Sequence, residues 1–382
     1  MLRNSRQALL ASLIFAVSLG GVVAANAASY KLTILRPIAE RTSTQAQYGL
    51  NEAGRTAGTS GGAGERVATV WDRRGHPQSL ARPKIATFSR ASAISNRGIV
   101  VGAVDTTGAD DLTGLRATRW TNSDHYQLLL PEIGYDNDAV AVNDEGWVAG
   151  IQFDGSVYTA FLITPSGHVD YPAPLATGDD FELLSINKFH QAAGFDAGDA
   201  GTFAVKWTRS GLQRLPLLPG GSISASASLN DLGVVAGVAD DSAGNYHAVR
   251  WYSNGRVIAL PSLANAIYSD GQNGINNFGF SVGVTVYAGT DPDDFNSQRA
   301  TLWDSRGRPH DLNFLIDDNR VTLLTANSIN DLGEIFGDAI EETGKRFAYL
   351  LTPRWPMRQW CEEFDRDRLM QGTQTKTLSD RR

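Results

Sequence analysis

Two clusters of carboxylates have the composition of an oxygen-ligand cation site. One holds Asp105, Asp110 and Asp111, and the other holds Asp291, Asp293 and Asp294 with Asn296 beside them. A third stretch adds Asp240, Asp241 and Asn245. Carboxylate and amide oxygens are the ligands calcium takes, so these are the candidate metal residues. No cofactor other than calcium is suggested. The same residue types also build ordinary solvated turns, and no loop has the Asp-x-Asp-x-Asp-Gly order of a dedicated calcium loop. The other reactive groups offer less. Six histidines (His76, His125, His168, His190, His247, His310) show no metal-ligand spacing, and the single cysteine, Cys361, excludes an intramolecular disulfide. There is no Gly-x-Ser-x-Gly, no His-Glu-x-x-His and no phosphate-binding loop, so no catalytic residue is assigned.

What positions these loops is a repeat. The motif Leu229-Asn230-Asp231-Leu232-Gly233-Val234-Val235-Ala236-Gly237 returns as Ile329-Asn330-Asp331-Leu332-Gly333-Glu334-Ile335-Phe336-Gly337. Similar copies start at Leu50, Ile94, Val142, Ile186 and Ile275, at intervals of 44, 48, 44, 43, 46 and 54 residues. A period in the forties means stacked or radially arranged units. Each unit divides into four strand-like pieces. The first is small and alternating, as in Ser222 to Ser228. A tight Asn-x-x-Gly turn follows, with His190 replacing its glycine at a position that tolerates a left-handed backbone. The second piece is short and ends in a second glycine. The third carries Ala-x-x-Trp, as in Ala68/Trp71, Ala117/Trp120, Ala204/Trp207, Ala248/Trp251 and Ala300/Trp303. Five of the eight tryptophans share this one position, which marks them as packing between units, not as a sugar platform. The fourth is Leu-rich, as in Leu215-Pro216-Leu217-Leu218-Pro219.

Four strands per period without helical periodicity predict an all-β fold, a seven-bladed β-propeller over residues 28–353. The seventh repeat lacks a Leu-rich fourth strand after Tyr349-Leu350-Leu351, and Tyr30 to Pro37 resembles it. The N-terminal strand is therefore expected to complete the last blade and close the ring.

The ends read differently. Arg3 and Arg6, an apolar Ala8 to Ala24 and Ala25-Asn26-Ala27 form a Sec signal peptide over residues 1–27, so the protein is expected to be exported, to periplasm or medium. No stable membrane insertion is expected once it is cleaved. Residues 354–382 match no repeat and read as a tail, a short helix or disordered. Losing Arg3 and Arg6 takes the formal charge from −7 to −9, which argues against nucleic acid as a partner.

The Ile-Asn-x-x-Gly-x-x-x-Gly element, the fragments His247-Ala248-Val249 and Thr159-Ala160-Phe161, and Leu218-Pro219-Gly220-Gly221 resemble the HAF family of extracellular repeats. The resemblance runs from about Leu32 to Thr352 and implies an exported bacterial β-propeller. That family supplies no reaction and no catalytic residues. Ser95, in place of the motif Asn, and His190 depart from its pattern.

Between the second glycine and the alanine the spacing is 10, 15, 10, 10, 11, 17 and 11 residues, so repeats two and six carry the insertions. These loops share a face with the blade-to-blade connections, opposite the tight turns. Length variation on one face suits a macromolecular partner. The expected function is a non-catalytic interaction scaffold for a protein or glycan, acting through the loop face. The alternative is a propeller enzyme acting on a glycan or a small ester or lactone at the channel mouth. Such a site needs convergent carboxylates or histidines on the first strands, where only Asp138 and Asn327 stand out as polar.

Overall fold

The computed structural model describes residues 29–355 except 63, 109–113, 131–133, 176–179, 200 and 289–296. Within them the chain forms seven four-stranded antiparallel sheets, the blades of a β-propeller. A short 3-10 turn, Leu312–Leu315, follows the outer strand of blade six. Numbered in chain order, the blades begin at Ser43–Leu50, Ser89–Ile94, Asp136–Val142, Phe181–Ile186, Ser224–Leu229, Ala266–Ile275 and Val321–Ile329. These first strands touch one another in turn all the way round, which makes them the innermost. The ring closes as the N-terminal segment predicts. Tyr30–Ile34 pairs antiparallel with Arg346–Pro353, from Tyr30 opposite Pro353 to Ile34 opposite Tyr349. Blade seven thereby gains its outer strand and no seam is left unpaired.

The apolar core is a set of layers between neighbouring blades. Ala57 and Val70 of blade one, for example, pack with Ile94, Val100 and Trp120 of blade two. The repeat tryptophans form these layers. Trp71, Trp120, Trp251 and Trp303 are fully buried, and each indole N–H donates to a carbonyl of the preceding blade's outer edge or connection: Arg36, Ala81, Pro216 and Pro261. The Leu-Pro segments are part of this edge. Outer strands end early, at Arg214 and Ala259 for instance, and the leucine and proline that follow lead to the next blade. The motif alanine is buried because both its backbone groups are committed. Ala68 donates to Ser89 Oγ of the next blade at 2.9 Å and accepts from Leu80, and Ala117, Ala204, Ala248 and Ala348 repeat the pattern.

The second glycine does not end its strand, as the sequence pattern suggests, but lies within it. Gly102 sits inside Val100–Asp105 and Gly194 inside Ala192–Gly198. Opposite each, the inner strand makes a β-bulge, between Ala91 and Ala93 or between Leu183 and Ser185. The bulge pushes a carbonyl, that of Arg90 or Glu182, against the glycine, so any Cβ there would overlap it.

Candidate functional site

The central channel is built from two levels of each inner strand. Its first level is the mouth on the turn face. Each Asn-x-x-Gly turn closes with the glycine N–H donating to the Asn carbonyl, and the Gly (φ +71° at Gly54) or His190 (φ 60°) takes the left-handed conformation. The asparagine itself does not, so backbone tolerance is not why it recurs. Its side chain answers two needs. In blade three Asn143 Oδ1 accepts from Glu145 and Trp147 of its own turn, while Nδ2 donates to the Asn187 carbonyl of the next blade at 3.0 Å. The same bridge runs from Asn51 to Ser95, Asn187 to Asn230, Asn230 to Asn276, Asn276 to Asn330, and Asn330 back to Asn51. Asp could not donate and Ser is too short. The Ser95 hydroxyl accepts from the Ile99 N–H but bridges to no described residue of the next blade, and the girdle is open at that one step.

A second ring runs through the following residues. The amides of Glu52, Asn96, Lys188, Asp231, Asn277 and Asp331 each donate to the side chain at the same position in the next blade: Asn96, Asp144, Asp231, Asn277, Asp331 and Glu52. Lys188 offers no acceptor to Asp144, so this ring too has one gap. Both rings border a cavity of about 290 Å³, floored by the collar Leu50, Ile94, Val142, Ile186, Leu229, Ile275 and Ile329. The third turn residue points away from it. In blades four to seven this residue is Phe189, Leu232, Phe278 and Leu332, exposed at 60, 65, 52 and 50 %. In blades one to three it is Ala53, Arg97 and Glu145. An apolar crescent thus rims just over half of the mouth.

The second level lies at the bulges, five or six residues before the motif Asn. That is roughly 16 Å further along the channel at a strand rise of about 3.3 Å per residue. Residues opposite the one after the second glycine occupy equivalent positions: Gln45, Arg90, Asp138, Glu182, Ala225, Asp270 and Thr325. Arg90 forms an ion pair with Asp138 of the next blade, which holds the guanidinium above its usual value. Burial pushes the Glu182 carboxyl up to about 7, aided by Asp180, and burial also raises Asp270, against donation from Gln272 N–H and Tyr268 O–H. Burial raises the hydroxyl of Tyr48, in the blade-one bulge, and Asp270 and Glu182 add to this while Arg90 opposes it. A side chain of blade one that senses blades two, four and six stands in the lumen. Beside this level Asp338 accepts from Ala46 N–H and Asn327 Nδ2, and burial lifts it to about 7.

The sequence reading found Asp138 and Asn327 on the inner strands but missed Arg90, Glu182, Asp270, Asp338 and Tyr48. Counting back five or six residues from each motif Asn would have found the ring. The bulge, which shifts the strand phase, hid it. Of the calcium candidates, Asp105 is buried at the end of a strand. Its carboxylate accepts from the amides of Thr87, Thr107 and Gly108, a turn-capping role that explains its lowered pKa despite burial. Asp240 caps Ser222 and Ile223 in the same way. Asp110, Asp111, Asp291, Asp293 and Asp294 lie outside the described residues. Among the described residues no three His, Cys, Asp or Glu side chains converge as a metal site. None of the six histidines lies on an inner strand. His190 instead stacks on Trp147 at 4.7 Å and pairs with Glu145 and Arg209 on the turn face.

No family model matches the chain, and no curated protein does. Solved structures do. An oligogalacturonate lyase from Vibrio parahaemolyticus is 11 % identical with a TM-score of 0.53, covering 85 % of this chain and 95 % of that one. A catalytically inactive virginiamycin B lyase from Staphylococcus aureus with quinupristin is 12 % identical with a TM-score of 0.52, covering 85 and 99 %. The β-propeller domain of the Trilobed protease from Pyrococcus furiosus is 8 % identical with a TM-score of 0.51, covering 82 and 93 %. At such identities the likeness is one of fold. The Pyrococcus domain is described as having an open velcro topology, whereas here the N-terminal strand pairs along its whole length.

Proposed function

We propose that this chain is an exported β-propeller of the HAF-repeat type that binds a protein or glycan partner without catalysis. One observation carries the reading. Phe189, Leu232, Phe278 and Leu332 are large apolar side chains held in solvent at one position of four successive blades. Folding gains nothing from exposing them, and large apolar side chains grouped in solvent on one face mark an interaction site. The partner is accordingly assigned to the turn face, opposite the loop face that the insertions suggest. Affinity capture tests the choice. The double variant Leu232→Asp, Phe278→Asp is expected to lose a partner that wild type retains, while deletion of residues 109–113 and 289–296 leaves it bound. The reverse pattern would return the partner, and with it the acidic loops as calcium sites, to the loop face.

The carboxylates Glu182 and Asp270 favour a second reading, an enzyme acting on a glycan or a small ester or lactone within the channel. It requires a proton donor or acceptor at the bulge level, and Glu182 is the group whose pKa suits that work at neutral pH. Turnover lost in Glu182→Gln and retained in the turn-face double variant would support it.

A further inference from the structure

The apolar crescent has a charged border. In blades four to six a hairpin joins the third strand to the outer one, and the strand register puts it at the turn-face end. Trp207, Trp251 and Trp303 lie opposite Ala192, Val235 and Ser281, the first residues after each Asn-x-x-Gly turn. These hairpins carry Arg209, Arg256 and Arg306, all exposed. Blades two and three, which have no apolar turn residue, carry Asp124 and Ser166 there. Blade one carries Arg73 and Arg74, the first of them taken by the buried Glu334. Border and crescent are in contact. Arg209 Nη2 meets His190 Nδ1 at 3.2 Å, next to Phe189, and its guanidinium lies 6.0 Å from the Trp147 ring. Lys206 Nζ donates to the Gly233 carbonyl, next to Leu232, at 3.0 Å. Among the described residues no carboxylate meets Arg209, Arg256 or Lys206. Asp231 and Asp304, the acids of these turns, are already paired with Lys188 and Arg308. A chain of net charge −7 thus gathers cations without carboxylate partners along its apolar crescent.

Resting on the turn-face reading, we propose that the partner is an acidic polypeptide segment. Its large apolar side chains sit on Phe189, Leu232 and Phe278, and its carboxylates on Arg209 and Arg256. A guanidinium presents a fork of donors that matches a carboxylate. Two of the four crescent residues are leucines, which offer a sugar ring no flat face to stack on but pack well against apolar side chains, so a polypeptide fits better than a glycan. An anionic membrane fits less well. A flat surface laid on the turn face would also meet Glu52, Asp144 and Asp331 at the mouth, which a segment following the crescent avoids.

Fluorescence anisotropy on the full chain tests this with a labelled peptide of about ten residues that alternates glutamate with phenylalanine and leucine. Wild type is expected to bind it, and to bind neither the peptide with lysine for glutamate nor the one with serine for its apolar residues. Arg209→Glu with Arg256→Glu should weaken binding about tenfold or more, because like charges then face each other, and should flatten its fall with salt. Arg209→Lys with Arg256→Lys keeps the charge and should retain most of the affinity. Equal binding of the acidic and basic peptides, no binding of the acidic one at millimolar concentration, or wild-type affinity in the Glu double variant overturns the proposal. So does attachment to phosphatidylglycerol vesicles through the same arginines without peptide binding. In affinity capture, a partner lost by Leu232→Asp, Phe278→Asp but kept by the Glu double variant overturns this proposal and leaves the turn-face reading standing. A partner kept by both overturns the two together. Thermal unfolding checks that the variants fold, and the comparison of peptides on wild type stands whether or not they do.

Discussion

The two levels of the channel recur with the same period and obey opposite rules. At the turn mouth the chain keeps one residue type, Asn, in six of seven blades, because one side chain must cap its own turn and bridge to the next. At the bulge, five or six residues earlier, the seven equivalent positions hold Gln45, Arg90, Asp138, Glu182, Ala225, Asp270 and Thr325, with no common chemistry. Repetition marks what the ring needs in order to close. Variation at a symmetric, inward position marks where one protein differs from another propeller. The apolar crescent follows the same logic, since the third turn residue is structurally free and only blades four to seven make it large.

The comparison can be broken most severely at the glycines that seat the bulges. In Gly194→Ala the new Cβ overlaps the Glu182 carbonyl, and the expected loss is about 4 kcal/mol or failure to fold. Gly255→Ala meets open space and suffers only its left-handed backbone, about 1 kcal/mol. Urea midpoints of the two variants compare a buried approach with a surface turn. Next is the girdle. Asn276→Ala removes one of the two donors to the Asn330 carbonyl and strands the amides of Phe278 and Phe280, for an expected loss of roughly 2–3 kcal/mol. Glu182→Gln at the bulge level is expected to be neutral or stabilising at pH 8. If both variants lose alike, the division between an architectural and a variable level fails.

The buried carboxyls give the channel a pH signature. Burial raises Glu182 and Asp338 to about 7 in the folded chain, so folding favours their protonated forms. Their stabilising contribution is present below the ordinary carboxylate range and lost as pH rises through about 7. After allowance for solvent in the channel this is roughly 2 kcal/mol between pH 4.5 and 8. Melting temperatures should fall over that window, and Glu182→Gln with Asp338→Asn should flatten the slope. A flat wild-type profile would place these groups in bulk solvent. The smallest effect is a gain. Ser95→Asn supplies the missing bridge to the Asn143 carbonyl and should stabilise by about 1 kcal/mol, read from the same urea midpoints.

Much of the ring was legible because its determinants are local and repeated. The Asn-x-x-Gly turn, the Ala-x-x-Trp strand and the orphan strand at Tyr30 gave seven blades and their closure, and the tryptophans proved to be packing. The candidate site was mostly not legible. Asp105 reads as a calcium ligand by composition, yet three backbone amides occupy its carboxylate. Arg90 and Glu182 were not singled out on the first strands, because alternation alone does not say which face a bulged strand turns inward.

By itself the sequence determined the repeat, the strand order within a blade and the residue types at turns and interblade layers, since each follows from hydrogen bonds and contacts within one period or between adjacent periods. Only the closed tertiary structure decided which side chains share the lumen. Tyr48, Arg90, Glu182 and Asp270 are spread across more than two hundred residues, and bending seven sheets around one axis is what makes them neighbours.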